Sequence, residues 1–257
     1  MNNVLRILQL SDLHLKQHDQ AILDESLESV VAACQKDKDW PPHYFILSGD
    51  LVHDETTAGY SNCYKKLTRR FIDIAPLLAI PGNHDDSALL HRDMGIAGAQ
   101  TTGWLEQGNW QIILLDSSVT GHKHGHLGKQ CLKDLDTALT RRKAEYSLII
   151  IHHPPVEIGS RWMDRMKVDN GEALFELTAK YCGVHHLVCG HAHQEIDLQH
   201  QHIRILGAPA TCRTQYLPLS DEYAEDTLSA GARWLELHED GRLNTGIIRT
   251  QSFSHSQ

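Results

Sequence analysis

Asp12-Leu13-His14, Gly49-Asp50, Gly82-Asn83-His84, His152-His153 and Gly190-His191-Ala192-His193 share one property: each comes at the end of a short apolar run. Carboxylate, carboxamide and imidazole groups together form the mixed oxygen and nitrogen set that Zn, Mn or Fe accepts. Asp12 and His14 are two residues apart, as are His191 and His193, so on an extended segment each pair points to one side. Gly49, Gly82 and Gly190 stand where the chain turns off an apolar run and a side chain would crowd the neighbouring groups. Taken singly these signals are weak, because Gly-Asp after a strand is usually a turn and an isolated histidine is usually a satisfied polar residue. Gly-Asn-His and Gly-His-x-His are more specific, since neither favours a strand or a helix. The ordered set points to a metal centre.

The elements that must position these groups can be read from periodicity. Residues 4–10, 44–47, 76–80, 111–115, 148–151 and 186–189 are short apolar runs bounded by Gly, Pro or Asp, the pattern of strands buried on both faces. Residues 21–34, 57–71, 129–141 and 172–181 carry apolar positions at helical spacing between them. Alternating strands and helices imply a layered α/β fold, in which ligands bind beyond the carboxyl ends of the strands. After Gln194 the strands shorten: 202–206 is one, and 233–249 reads as a hairpin turning at Asp240-Gly241. The expectation is two sheets packed face to face with helices outside, in one domain spanning residues 1–250, with a polar tail at 251–257 that frays.

Bulk composition narrows the function classes. With 257 residues, 41% hydrophobic and 22% charged, the chain has ordinary globular usage. A net charge of -9 argues against a nucleic-acid backbone binder, although bound cations can reverse the sign locally for a small anionic substrate. Nineteen histidines are an enrichment that fits metal or acid–base chemistry. The six cysteines show no Cys-x-x-Cys pair, which reads as reduced thiols and a cytoplasmic location. The first residues lack the shape of a signal peptide, and no apolar stretch approaches the roughly 18 residues of a membrane span, so no membrane association is expected.

The order Asp-x-His, Gly-Asp, Gly-Asn-His, His, Gly-His-x-His over residues 12–193 resembles the calcineurin-like metallophosphoesterases. Within that family the chain is similar to the bacterial class III cyclic-AMP phosphodiesterases. That likeness is carried by Ala58-Gly59-Tyr60, Leu114-Leu115-Asp116-Ser117, His152-His153-Pro154-Pro155, residues 190–198, Ala210-Thr211-Cys212 and Leu235-Glu236-Leu237-His238. The resemblance implies a two-sheet sandwich flanked by helices in α/β/β/α layers and a dinuclear metal centre. It implies that Asp12, His14 and His193 hold one ion, that Asn83, His152 and His191 hold the other, and that Asp50 bridges them. His84 then sits beside the phosphate and protonates or hydrogen-bonds the leaving oxygen. Asp50, Asn83 and His84 are the implied catalytic residues, and His14, Asp50, Asn83, His84 and His193 the implied substrate contacts. The implied reaction is hydrolysis of 3',5'-cyclic AMP to 5'-AMP by a hydroxide bridging two Fe, Mn or Zn ions, in a monomer or homodimer.

Other residues carry less. His153 follows His152 and is expected to point the other way. Asp116 caps a strand end or supports the site. Gly121 to His126 imitates a metal tract but reads as a solvated loop, and His185-His186 begins a strand. Arg161, Trp162, Asp164 and Asn170, with Thr211, Cys212 and Arg213, are candidates for a nucleotide pocket wall. The alternatives are a phosphodiesterase or phosphomonoesterase for another nucleotide-type substrate, a protein-binding scaffold, and a regulatory nucleotide-binding module. A scaffold typically loses ligand histidines, and no ligand position is missing here.

Overall fold

A computed structural model describes residues 4–16, 28–29, 32, 41–53, 56–211 and 214–249. Two sheets form the centre. The first has strand order β11-β10-β1-β2-β3, with β1 Leu5–Leu10, β2 Tyr44–Ser48, β3 Leu77–Ile80, β10 Gly231–Leu237 and β11 Leu243–Arg249. The second has order β4-β5-β6-β7-β9-β8, with β4 Gly103–Gln107, β5 Trp110–Leu114, β6 Tyr146–Ile150, β7 Val184–Cys189, β8 Ile196–His200 and β9 Ile203–Gly207. β1, β2 and β3 run parallel, as do β5, β6, β7 and β9. The expected hairpin at Asp240-Gly241 is β10–β11, which pairs antiparallel with β1 and so extends the first sheet past the N-terminal strand.

The buried strands alternate between two cores, which is why they read as continuous apolar runs rather than as alternating ones. Ile7, Ile46, Leu78, Ile112, Leu148, Val188, Leu206 and Leu235 meet between the sheets. Leu8, Leu10, Phe45, Leu47, Leu77 and Ala79 face outward under α1 Thr57–Ile72 and α2 Ser87–Ile96. On the second sheet, Ile113, Ile149, Leu187 and Ile205 pack under α3 Lys129–Arg141, α4 Arg161–Asp164 and α5 Gly171–Thr178. The layers are therefore α/β/β/α, as expected. Side-chain caps start the first two helices: Gly59 N–H donates to Thr56 Oγ1 at 3.0 Å, and Leu89 N–H donates to Asp86 at 2.9 Å.

The helix expected over 172–181 starts at Gly171 and ends at Thr178. Most of the helix expected over 21–34, Cys212, Arg213 and the tail 251–257 lie outside the described residues. α2, α4, β4 and β8 have no counterpart among the expected elements. β4 and β8 are edge strands whose exposed positions dilute the apolar signal. Among the described residues no helix is long and apolar enough to cross a membrane.

Candidate metal centre

The parallel strands of both sheets end at one rim, and their next residues lock the two sheets together. Asp12 N–H donates to Gly49 C=O at 3.0 Å, and His14 N–H donates to Asp50 C=O at 2.9 Å, carrying the β1–β2 pairing into the loops. Gly190 N–H reaches His152 C=O at 2.9 Å, and Thr211 N–H reaches Ser11 C=O at 2.9 Å. His191 N–H donates to both oxygens of Asp12, at 3.1 and 3.0 Å, so a carboxylate of the first sheet anchors a loop of the second.

Asp12, His14, Asp50, His191 and His193 all adopt left-handed backbone, with φ of 54°, 45°, 52°, 66° and 48°. This corrects the expectation of extended segments. The pairs converge because the chain curls at each ligand-type residue, not because of strand alternation. Such φ values cost about 1–3 kcal/mol each in non-glycine residues and persist at functional sites where the surroundings impose them. The glycines are needed for close approach: a Cβ on Gly49 would overlap the His152 ring, one on Gly82 would overlap Asp50, and one on Gly190 would overlap Ser11 Oγ.

Asp12, His14 and His193 bring one donor atom each within 4.8 Å of one another, and so do Asp12, Asp50 and His152. His14 Nε2 and His193 Nε2 are 3.1 Å apart, and Asp12 Oδ1 is 3.5 Å from His193 Nε2. Donors about 2.0–2.2 Å from a shared ion lie at such separations. Asp50 divides its oxygens, Oδ2 lying 3.7 Å from His14 Nε2 and Oδ1 3.4 Å from His152 Nε2. Asn83 Oδ1, His152 Nε2 and His191 Nε2 are buried without a hydrogen-bond partner. Unsatisfied buried polar atoms are costly, and oxygen and imidazole atoms of these kinds are ones a cation could satisfy. The rings are aimed from behind: His152 Nδ1 donates to Ser48 C=O at 2.7 Å and His193 Nδ1 to Thr214 C=O at 2.8 Å, which turns Nε2 of His152 toward Asp50 and Nε2 of His193 toward His14.

Electrostatics favour the same state. Burial pushes the Asp12 carboxyl up, but His193 and His152 together outweigh it and the net shift is downward. Asp50 is likewise desolvated, yet His152 and His14 hold it well below the usual carboxylate range. Burial pushes His14 down to about 4 and His191 well below its ordinary value, so both rings are neutral donors. His152 is also desolvated, but Asp50 lifts it to about 9. A bound cation would compete with that proton.

Several residues take places the sequence did not disclose. His153 does not point away: its ring centroid is 4.8 Å from that of His152 and 4.6 Å from that of His191, and its Nδ1 is 2.8 Å from Ser117 Oγ. Burial pushes His153 down to about 3, so it is a neutral ring. Asp85 accepts N–H groups of Leu51, Val52 and Gly82 and the Tyr64 hydroxyl, tying the Asp50 loop to the Asn83 loop. His84 N–H donates to Asp50 Oδ1 at 2.8 Å, and the His84 ring lies 4.2 Å from that of His53. Only the histidine excess hinted at His53, and no spacing marked Asp85.

The secondary candidates divide. Asp116 accepts from Ser87 Oγ and from Ser118, a turn-capping role. In the histidine-rich loop His126 pairs with Asp169 at 2.6 Å, while Gly125 lies so near the His153 ring that a Cβ there would overlap it. His186 lies within β7. Asn170 brackets Leu127 N–H and C=O, Asp164 accepts from Ile158 N–H, and Thr211 is fully buried against Ser11, so these three are supports rather than wall. Arg161 lies 3.5 Å from Asp221 on the surface. Trp162 packs on Tyr216 and Tyr223, and the two tyrosines join His14, Lys16, His53, His84, His193 and Thr214 around an open cavity of about 490 Å³.

This fold, with a ligand-rich rim between two sheets, is that of the calcineurin-like phosphoesterases, and the chain belongs to that family, whose pattern it matches over residues 5–195. It is 38% identical to a 3',5'-cyclic adenosine monophosphate phosphodiesterase CpdA of Pseudomonas aeruginosa, across 95% of this chain and 89% of that protein. It is 36% identical to the protein of that name from Escherichia coli strain K12, across 95% and 90%. Among solved structures, a dimetal phosphatase from Danio rerio superposes with a TM-score of 0.56 at 14% identity, covering 96% of this chain and 99% of that one, a likeness of fold alone.

Proposed function

We propose that the protein hydrolyses 3',5'-cyclic AMP to 5'-AMP at a dinuclear metal centre. The observation that carries the reading is the pair of buried atoms without hydrogen-bond partners, Asn83 Oδ1 and His191 Nε2, together with an Asp50 whose two oxygens face Nε2 of His14 and Nε2 of His152. Asp12, His14 and His193 would hold one ion and Asn83, His152 and His191 the other, with the two oxygens of Asp50 facing a histidine of each set. The donors suit Fe, Mn or Zn. When bound, two such ions supply an activated water and positive charge against the phosphoryl oxygens.

The chain's own residues do the rest. Ser48 and Thr214 carbonyls fix the tautomers of His152 and His193, and the backbone hydrogen bond from His84 to Asp50 fixes the His84 loop against the bridging carboxylate. His84 lines the cavity, within which its ring would meet the leaving oxygen. Cleavage breaks the bond from phosphorus to O3'; His84 provides the proton or hydrogen bond that O3' needs, and the product retains the 5'-phosphate. The CpdA relatives, by their names, act on the same substrate. The described cysteines Cys63, Cys131, Cys182 and Cys189 are free thiols, which supports a reducing, cytoplasmic setting.

The test is incubation of purified protein with cyclic AMP and added Mn, followed by chromatography. Formation of 5'-AMP, abolished by chelator, is expected. Inertness toward cyclic AMP with cleavage of bis(p-nitrophenyl) phosphate would keep the metal centre and discard the substrate.

A further inference from the structure

The cavity beside the metal-type residues has an aromatic side that the hydrolytic chemistry does not use. Tyr216 lies flat on His193, with ring centroids 4.2 Å apart and planes at 5°. Tyr223 comes next, at 5.4 Å and 67° from Tyr216. Trp162 closes the triangle edge-to-face, 5.1 Å from Tyr216 and 5.5 Å from Tyr223. Such contacts order the rings. The segment that carries the tyrosines is also fixed: Leu217 N–H donates to Ala224 C=O at 2.8 Å, Asp226 N–H to Gln215 C=O at 3.0 Å, and the buried Gln215 side chain brackets Ala210. Tyr223 is nonetheless 57% exposed, with its hydroxyl donating to Glu225 at 2.6 Å. A rigid, half-open aromatic ring at the edge of a catalytic cavity is a surface made for a planar partner. A base stacks on such a ring whatever its edge chemistry, because every base has a π-face.

We propose that Tyr223, braced by Tyr216 and Trp162, is the platform on which the substrate's nucleobase stacks, so that this cluster separates nucleotide diesters from plain phosphate esters. The inference rests on the cyclic-nucleotide reading and adds the residue that recognises the base. Stacking is sequence-tolerant, so the platform favours purines over pyrimidines by ring area and discriminates little between adenine and guanine.

The experiment is steady-state kinetics of wild type, Tyr223→Leu and Tyr223→Phe on cyclic AMP, cyclic GMP and cyclic CMP, with metal content measured on each protein. Tyr223→Leu is expected to raise KM for both purine substrates about five- to tenfold, with kcat and metal content kept, and to erase most of the purine preference. Tyr223→Phe, which keeps the ring and loses the Glu225 hydrogen bond, is expected to stay within about twofold of wild type. Unchanged KM in Tyr223→Leu, or an equal fall in kcat in both variants, overturns the platform while leaving cyclic-nucleotide hydrolysis intact. Wild type that turns over no cyclic nucleotide defeats the underlying substrate reading, and the platform with it.

Discussion

His14 and His193 face each other through Nε2 atoms 3.1 Å apart. The carbonyl of Thr214 accepts a hydrogen bond from Nδ1–H of His193, which turns its Nε2 toward His14. Burial holds His14 down to about 4, so it supplies no second positive charge at neutral pH. Two ring nitrogens at that distance can share a hydrogen bond, and together with Asp12 they would serve a cation. The loops that hold them there carry backbone strain at His14 and His193.

Chelation should therefore cost stability as well as activity. A ligand present at 100 times its Kd stabilises by about 2.7 kcal/mol, which in a chain of this size corresponds to roughly 5–10 °C in Tm. Calorimetry with and without chelator is expected to show a drop of that order, reversed by Mn. An unchanged Tm would mean that the folded chain binds no ion.

Asp50→Ala removes the carboxylate that faces both halves of the site. The expected outcome is loss of detectable turnover and depletion of both ions in elemental analysis of the purified variant. Full occupancy with activity would refute the bridging role.

His84→Ala leaves every proposed donor atom in place. Turnover should fall about 10²–10⁴-fold, the range for removing an acid catalyst, with two ions still bound. Metal loss in this variant would make His84 a structural or ligating group instead.

Gly49→Ala tests the close packing behind the ligands. The position has φ of +95° and its added Cβ would overlap the His152 ring. Overpacking of this kind costs about 1–3 kcal/mol, and the displaced ring should also lower metal content. Normal stability and occupancy would show that the loop has room to shift.

The order of the ligand motifs and the layered fold were legible because parallel strands buried on both faces produce apolar runs, and the residues after each run must lie at one rim. The curled backbone at Asp12 and His191 was not legible, since Asp and His enter the left-handed region only where tertiary hydrogen bonds hold them. His153 escaped for a related reason: alternation along a strand predicts an outward ring, but the chain has already left the strand after Ile150. Tyr216 and Tyr223 lie in an irregular segment with no period to read, and their meeting with Trp162 is set by long-range packing alone.

The most direct test of the two-metal account is a titration of metal-free protein with Mn while cyclic AMP hydrolysis is monitored. The account predicts negligible turnover without metal and a rise that saturates at two ions per chain. Saturation at one ion, or turnover that survives complete metal removal, would contradict it.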